Sequence, residues 1–237
     1  MSGQPPTAPV TIRRLRRTDV PGAVRIHEQV LHEEFITRGG RGFLRRYYQA
    51  WIGTGVDLSL VACDGRGELV GALLGAVDPA AHYRSMLHHG GAALGLRLIS
   101  HAAAHPRFGA ELVVTRGARY LGGALRVARS RARRRVHQTE DVRADRVGEV
   151  THVLVRSDMH GRGIGRALLD RAADESARAG VSALHLVTPP PLAASGFYER
   201  LGWHRTGVIQ SRSGEEFVAY ELALGAADEE RATGVTT

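Results

Sequence analysis

The sequence predicts an α/β fold, a mixed central β-sheet flanked by helices, from three observations. Residues 148–180 read as a strand, a glycine-rich turn and an amphipathic helix, and a strand-like segment at 182–188 follows at once. That short return makes the two strands parallel, joined by a right-handed crossover. Two other pairs of segments, 57–63 with 68–77 and 206–212 with 216–224, are linked by turn sequences and read as antiparallel hairpins. A sheet with both kinds of pairing is mixed.

Taken in order, residues 1–9 are small, polar and proline-containing, and are expected to be disordered. Residues 10–15 form the first strand. Thr18 or Asp19 can cap the next helix, with Pro21 in its first turn, and apolar residues at helical spacing carry that helix to Phe35. Gly39, Gly40 and Gly42 break the chain before a second helix whose Phe43, Leu44, Tyr47, Tyr48 and Trp51 read as core. Asp64-Gly65-Arg66-Gly67 turns the second strand into the third, and Cys63 reads as a small buried residue.

The segment 79–147 is predicted to be a helical insertion between the third and fourth strands, with helices over about 84–104 and 116–135. Its histidines (82, 88, 89, 101 and 105) lack the spacing and partners of a metal site and are expected on the surface. After the crossover, Pro189-Pro190-Pro191 stops the fifth strand. Residues 194–207 hold a short helix and a turn at Gly202, and Ser213-Gly214 turns the last hairpin. Residues 10–225 read as one domain, followed by a flexible tail over 226–237.

Composition bounds the function. The 237 residues are enough for one domain with a sizeable core, and the hydrophobic and charged fractions are those of a globular protein. A single cysteine excludes an internal disulfide framework and suits a reducing cytoplasm, the expected location. The N-terminus lacks the apolar run of a secretory signal, and no apolar stretch is long enough to predict a spanning helix or a membrane partner. The net charge of +8 is accounted for by residues 116–135, which hold eight arginines and no acid. The remainder is near neutral, so nucleic acid is not the expected partner. All 32 basic residues are arginine, so no lysine can act as base or Schiff-base nucleophile.

The chemistry concentrates at 148–180. A strand feeding a glycine-rich turn into a helix N-terminus exposes backbone N–H groups to an anion, with the helix dipole behind them. His160, Gly161, Arg162, Gly163, Ile164, Gly165 and Arg166 form that turn, and Arg156, Arg162 and Arg166 add charge.

Two separated motifs carry a resemblance to a family. The run VRSDMHGRGIGRALL resembles the Q/R-x-x-G-x-G/A pyrophosphate loop of the GNAT superfamily, the GCN5-related N-acetyltransferases, and FYERLGW at 197–203 resembles that family's F/L-Y-x-x-x-G-F block. The resemblance covers 10–77 and 148–224. It implies acetyl-CoA as co-substrate, no metal, and a GNAT fold whose fourth and fifth strands splay to admit pantetheine beside the backbone of Val153, Leu154 and Val155. The diphosphate would then lie on the amides of His160 to Arg166, and an N–H near Val155 would hold the thioester oxygen. Tyr198 matches the family's tyrosine that protonates the leaving thiolate. His160 departs from the usual Arg or Gln, and Pro191 falls near a position often held by Asn.

Two candidates compete for the base, Glu149 and His152. They lie three residues apart, so in a regular strand they face opposite sides, and only a bulge would bring them together. The expected acceptor is a primary amine on a small molecule, with the insertion covering it and Glu33 and Glu34 available to a cationic one. A protein acceptor and a non-catalytic module using the Arg-rich helix are the alternatives. A homodimer stays open.

Overall fold

A computed structural model describes residues 10–32, 35–89, 91–111, 146–193, 196–210 and 214–225. Their strands are β1 (Thr11–Arg14), β2 (Leu60–Cys63), β3 (Leu69–Ala76), β4 (Val147–Val155), β5 (Ala183–Thr188), β6 (His204–Gln210) and β7 (Glu216–Ala223). They pair in one seven-stranded sheet in the order β1-β2-β3-β4-β5-β7-β6. Every neighbouring pair is antiparallel except β4 and β5, so the sheet is mixed as the sequence predicts.

Helices cover both faces of the sheet's centre. On one face lie α1 (Val20–Val30) and α3 (Arg41–Trp51), with the short α2 (Phe35–Arg38) between them; on the other lies α7 (Ile164–Arg178). β3 is apolar almost throughout because both its faces are covered. Val70 and Leu73 join the core under α7, while Ala72, Leu74 and Ala76 join Leu44, Tyr48 and Trp51 under α1 and α3.

The first helix ends at Val30 rather than Phe35, where Leu31 leaves helical geometry. Asp19 stands at its N-cap, yet its carboxylate does not cap α1. It accepts the backbone N–H of Arg16 and a bidentate pair from Arg13, the stronger charge-assisted option.

After β3 come α4 (Pro79–His89), α5 (Gly91–Ala104) and α6 (Pro106–Glu111). The single helix expected over 84–104 is thus two, and the first begins earlier. Asp78 caps it by accepting the N–H of Ala81 at 2.8 Å, with Pro79 in the first turn where its missing donor costs nothing. Phe43 of α3, Leu98 of α5 and Phe108 of α6 form a small core of their own. His82, expected on the surface, is fully buried. Its ring stacks on Trp51 at 3.9 Å and its Nδ1 lies 3.1 Å from the Thr54 hydroxyl, and burial lowers its pKa below the usual histidine value. A flat ring on an aromatic face shields its apolar surface as well as an aliphatic side chain would. The helix expected at 116–135 and its arginines lie outside the described residues, as do Glu33, Glu34 and both termini.

Two features of β4 shape everything that follows. Its pairing with β5 runs only from Val147 to Val150; beyond that point β4 stays with β3 while β5 stays with β7. The strands therefore part. The second feature is a β-bulge: Val150 pairs with Gly75 and His152 with Leu74, which leaves Thr151 as the extra residue. Consequently Val150 faces the core under α7, whereas His152 meets His27 and Tyr47 on the opposite face.

Gly75 opposes the bulge at close range. A Cβ there would fall 2.5 Å from the carbonyl oxygen of Glu149. Gly75→Ala must force β3 and β4 apart, and is expected to destabilise the fold by about 2 kcal/mol or more in urea melts. The control Gly207→Ala, in β6, meets no atom within 4 Å and should leave stability nearly unchanged.

Candidate functional site

The parting of β4 from β5 opens a cavity of about 450 Å³. Backbone direction decides what faces it. The N–H of Arg156 donates to Val70 of the β3 side at 2.9 Å, so by strand alternation Leu154 also turns its N–H and C=O toward β3, and Val153 and Val155 turn theirs toward the opening. The side chains of Val153 and Val155 form one wall; Val30 and Leu31, at the end of α1, close one end.

His160, Gly161, Gly163, Ile164, Gly165 and Arg166 all border this cavity, as does Tyr198. Leu154 and Arg162 do not: Leu154 is buried against the sheet and Arg162 is exposed. Gly161 and Gly163 take φ of 72° and 73°, left-handed values that let the chain turn tightly into α7. Gly165 is close-packed, since a Cβ would lie 3.3 Å from the Phe197 ring and the ring would have to give by a few tenths of an ångström. At Gly161, Gly163 and Gly165 the backbone thus borders the cavity with no side chain over it. The three arginines expected to add charge divide. Arg156 is held by Asp158, 2.6 Å away, and Arg166 pairs with Asp170 at 3.3 Å. His160 Nε2 lies 2.9 Å from the Val155 carbonyl oxygen, on the edge of β4 that the split uncovers.

Tyr198 enters from the far wall, at the start of a 3-10 turn (Glu199–Leu201). Its ring packs on Phe197, Trp203 and Tyr220, with centroids 5.1, 6.2 and 5.2 Å away. Burial pushes its hydroxyl above the usual tyrosine pKa, and a bond with the Thr188 side chain partly opposes this. Tyr220 donates to Glu199 at 2.6 Å, which ties the turn to β7. Sequence reading did not single out Val30, Leu31, Met159, Phe197 or Arg200 for this site; they come together only through the fold. Phe197 was within reach, since it belongs to the same motif as Tyr198.

Glu149 and His152 lie outside the cavity lining. The bulge puts both on the face opposite α7, the condition under which they can act together. Their surroundings differ. His152 is buried, its ring 5.1 Å from that of His27 and 6.0 Å from that of Tyr47. Glu149 is half-buried beside the last paired residue of β4 and β5, where the split begins. Burial raises its pKa above the usual carboxylate value, and His185, the Tyr83 hydroxyl and His152 draw it partly back.

The family model described as an acetyltransferase (GNAT) domain matches residues 113–224. Residues 113–224 are thus similar to a GNAT acetyltransferase domain. Solved structures with the GNAT fold span nearly the whole chain. The ribosomal-protein-S18-alanine N-acetyltransferase of Escherichia coli aligns with a TM-score of 0.53 and 16% identity, over 97% of this chain and 100% of its own. The Drosophila melanogaster polyamine N-acetyltransferase, described as forming N-acetylagmatine, aligns at 0.53 and 14%, over 91% and 100%. A Corynebacterium glutamicum structure described as histone acetyltransferase HPA2 and related acetyltransferase aligns at 0.53 and 21%, over 91% and 97%. No curated protein matches in sequence.

GNAT enzymes use acetyl-CoA as co-substrate, and the described residues suit it. An uncovered strand edge, a cavity in the split and side-chain-free glycine backbone at a helix start are what an extended amide-bearing arm ending in a diphosphate requires. Among the described residues no group of three or more His, Cys, Asp or Glu could hold a metal, and no helix is long and apolar enough to cross a membrane.

Proposed function

We propose that the protein transfers the acetyl group of acetyl-CoA to a primary amine of a small molecule, by direct attack with both substrates bound in one domain spanning 10–225. The observation that carries this reading is the split between β4 and β5, with Glu149 where it begins and Tyr198 on its far wall.

Acetyl-CoA supplies an acyl group activated as a thioester. Val153 and Val155 offer backbone to its arm through the unpaired edge of β4, and the amides from His160 to Arg166 receive the diphosphate. His160 must leave the Val155 carbonyl for the arm to bond there. The Val155 N–H, aimed into the split, is placed for the carbonyl oxygen as negative charge develops on it. Glu149 takes the amine's proton so that the nitrogen lone pair can attack, and a carboxylate with a raised pKa is the better base at neutral pH. Tyr198, whose raised pKa keeps its hydroxyl protonated until then, gives its proton to the departing thiolate and regains one from the second proton that the nitrogen sheds as the amide forms. His152 is the weaker candidate because His27 and Tyr47 enclose its ring.

The acceptor approaches from the face opposite α7. Tyr83 of α4 reaches Glu149 there, which supports a role for the segment 79–147 in shaping the acceptor site. A panel of amines, amino sugars and peptide N-termini, with release of free CoA thiol as readout, tests the reading. Turnover with at least one small primary amine is expected. Release with peptides alone would overturn the small-molecule assignment, and release with no amine, despite acetyl-CoA binding, would overturn the activity.

A further inference from the structure

We propose that Tyr83 and His185 are positioning residues that hold the Glu149 carboxylate between them, and that the row of side chains beginning at His185 carries the acceptor's proton to solvent. The inference rests on the reading of Glu149 as the base.

Strand register supplies the geometry. Glu149 is opposite His185 across β4 and β5, His185 is opposite Glu221 across β5 and β7, and Glu221 is opposite His204 across β7 and β6. Side chains at directly opposed positions share a face, with Cβ atoms about 5 Å apart. That face is the one away from α7, because the flanking Val150, Leu184, Leu186, Tyr220 and Trp203 all enter the core beneath it. Carboxylate and imidazole alternate along the row, and exposure increases along it. Glu149 and His185 are half-buried, while Glu221 and His204 are exposed.

The other side of the carboxylate is held by α4. The Tyr83 hydroxyl donates to Glu149 Oε2 at 3.4 Å. The helix that carries it is anchored by His82 on Trp51 and by the Asp78 cap, so Tyr83 approaches from a fixed base. A donor on one oxygen leaves the other to the amine. Among the described residues, the other titratable group that acts on Glu149 is His152 on its own strand, with His27 of α1 behind it.

Each turnover leaves Glu149 with one extra proton. The carboxylic acid passes it to the unprotonated nitrogen of a neutral His185, which restores the carboxylate and forms an imidazolium. Glu221 favours that cation, and the proton then leaves to water at the exposed end of the row. No oxidant or second reactant is needed.

The test uses the full chain with Tyr83→Phe, His185→Gln and Glu221→Gln, each checked for folding and acetyl-CoA affinity; His185→Asn replaces His185→Gln if that variant misfolds. Tyr83→Phe and His185→Gln each remove a group that favours the ionised carboxylate. Each is expected to move the acid limb of kcat/KM to higher pH by about half a unit or more. His185→Gln should also lower kcat about tenfold in dilute buffer, with recovery on adding imidazole, and Glu221→Gln should show a smaller loss. A purely structural role would lower activity equally at all pH values and give no imidazole rescue. If Glu149→Gln lowers kcat while these variants keep the parent pH profile, the positioning and relay roles are overturned. An undiminished Glu149→Gln would instead overturn the base assignment, and this inference with it.

Discussion

Glu149→Gln is expected to lower kcat by about 100-fold or more at neutral pH while leaving acetyl-CoA affinity nearly unchanged. The amide keeps the size and cannot take a proton from the acceptor. Glu149 lies outside the cavity bordered by the glycine loop and Tyr198, which is why donor binding is spared. The pH profile gives the sharper readout. A base works only when ionised, and burial raises the carboxyl's pKa, so the parent should lose activity on acidification starting above the usual carboxylate range. The variant should lack that limb and recover with rising pH as the free amine becomes abundant. Activity within twofold of the parent across the range would remove Glu149 from the proton transfer and return His152 to consideration.

Tyr198→Phe is expected to lower kcat by about 10- to 100-fold. The ring packs on Phe197, Trp203 and Tyr220 and phenylalanine keeps those contacts, so stability should change by about 1 kcal/mol, the worth of the lost bond with Thr188. Donor affinity should stay within about twofold. Because burial raises the tyrosine pKa above 10.0, the parent should show no alkaline fall in rate from this group below that pH. An acetyl donor with a more acidic thiol needs less help from an acid, so it should narrow the gap between variant and parent. Equal rates with acetyl-CoA would assign Tyr198 to packing alone.

Much of the donor side could be read from local sequence. Glycines at 161 and 163 announce a left-handed turn wherever the strand before them pairs, and apolar spacing from Ile164 announces the helix after it. Tyr198 was named by the resemblance of FYERLGW to a family motif, and the fold brings it to the same cavity. These signals are short-range, and neighbouring residues settle them. His82 shows the opposite case. Nothing within a few residues of it predicts burial; Trp51, on a helix some thirty residues earlier, creates its site.

The base question turned on a single extra residue. Counting along the strand put Glu149 and His152 on opposite faces. The unpaired Thr151 reverses that, yet it is visible only as a mismatch between β4 and β3. The same dependence governs the row from Glu149 to His204, whose members come from β4, β5, β7 and β6 and share no sequence pattern.

The sequence by itself determined the α/β architecture and the glycine turn that leads into α7, because backbone freedom and side-chain periodicity are properties of contiguous residues, while Tyr198 was named by resemblance to a family motif. Only the tertiary structure decided which face Glu149 presents, what flanks its carboxylate and where the sheet opens. Those depend on register between distant strands and on the docking of α4, and register is chosen by the whole core at once.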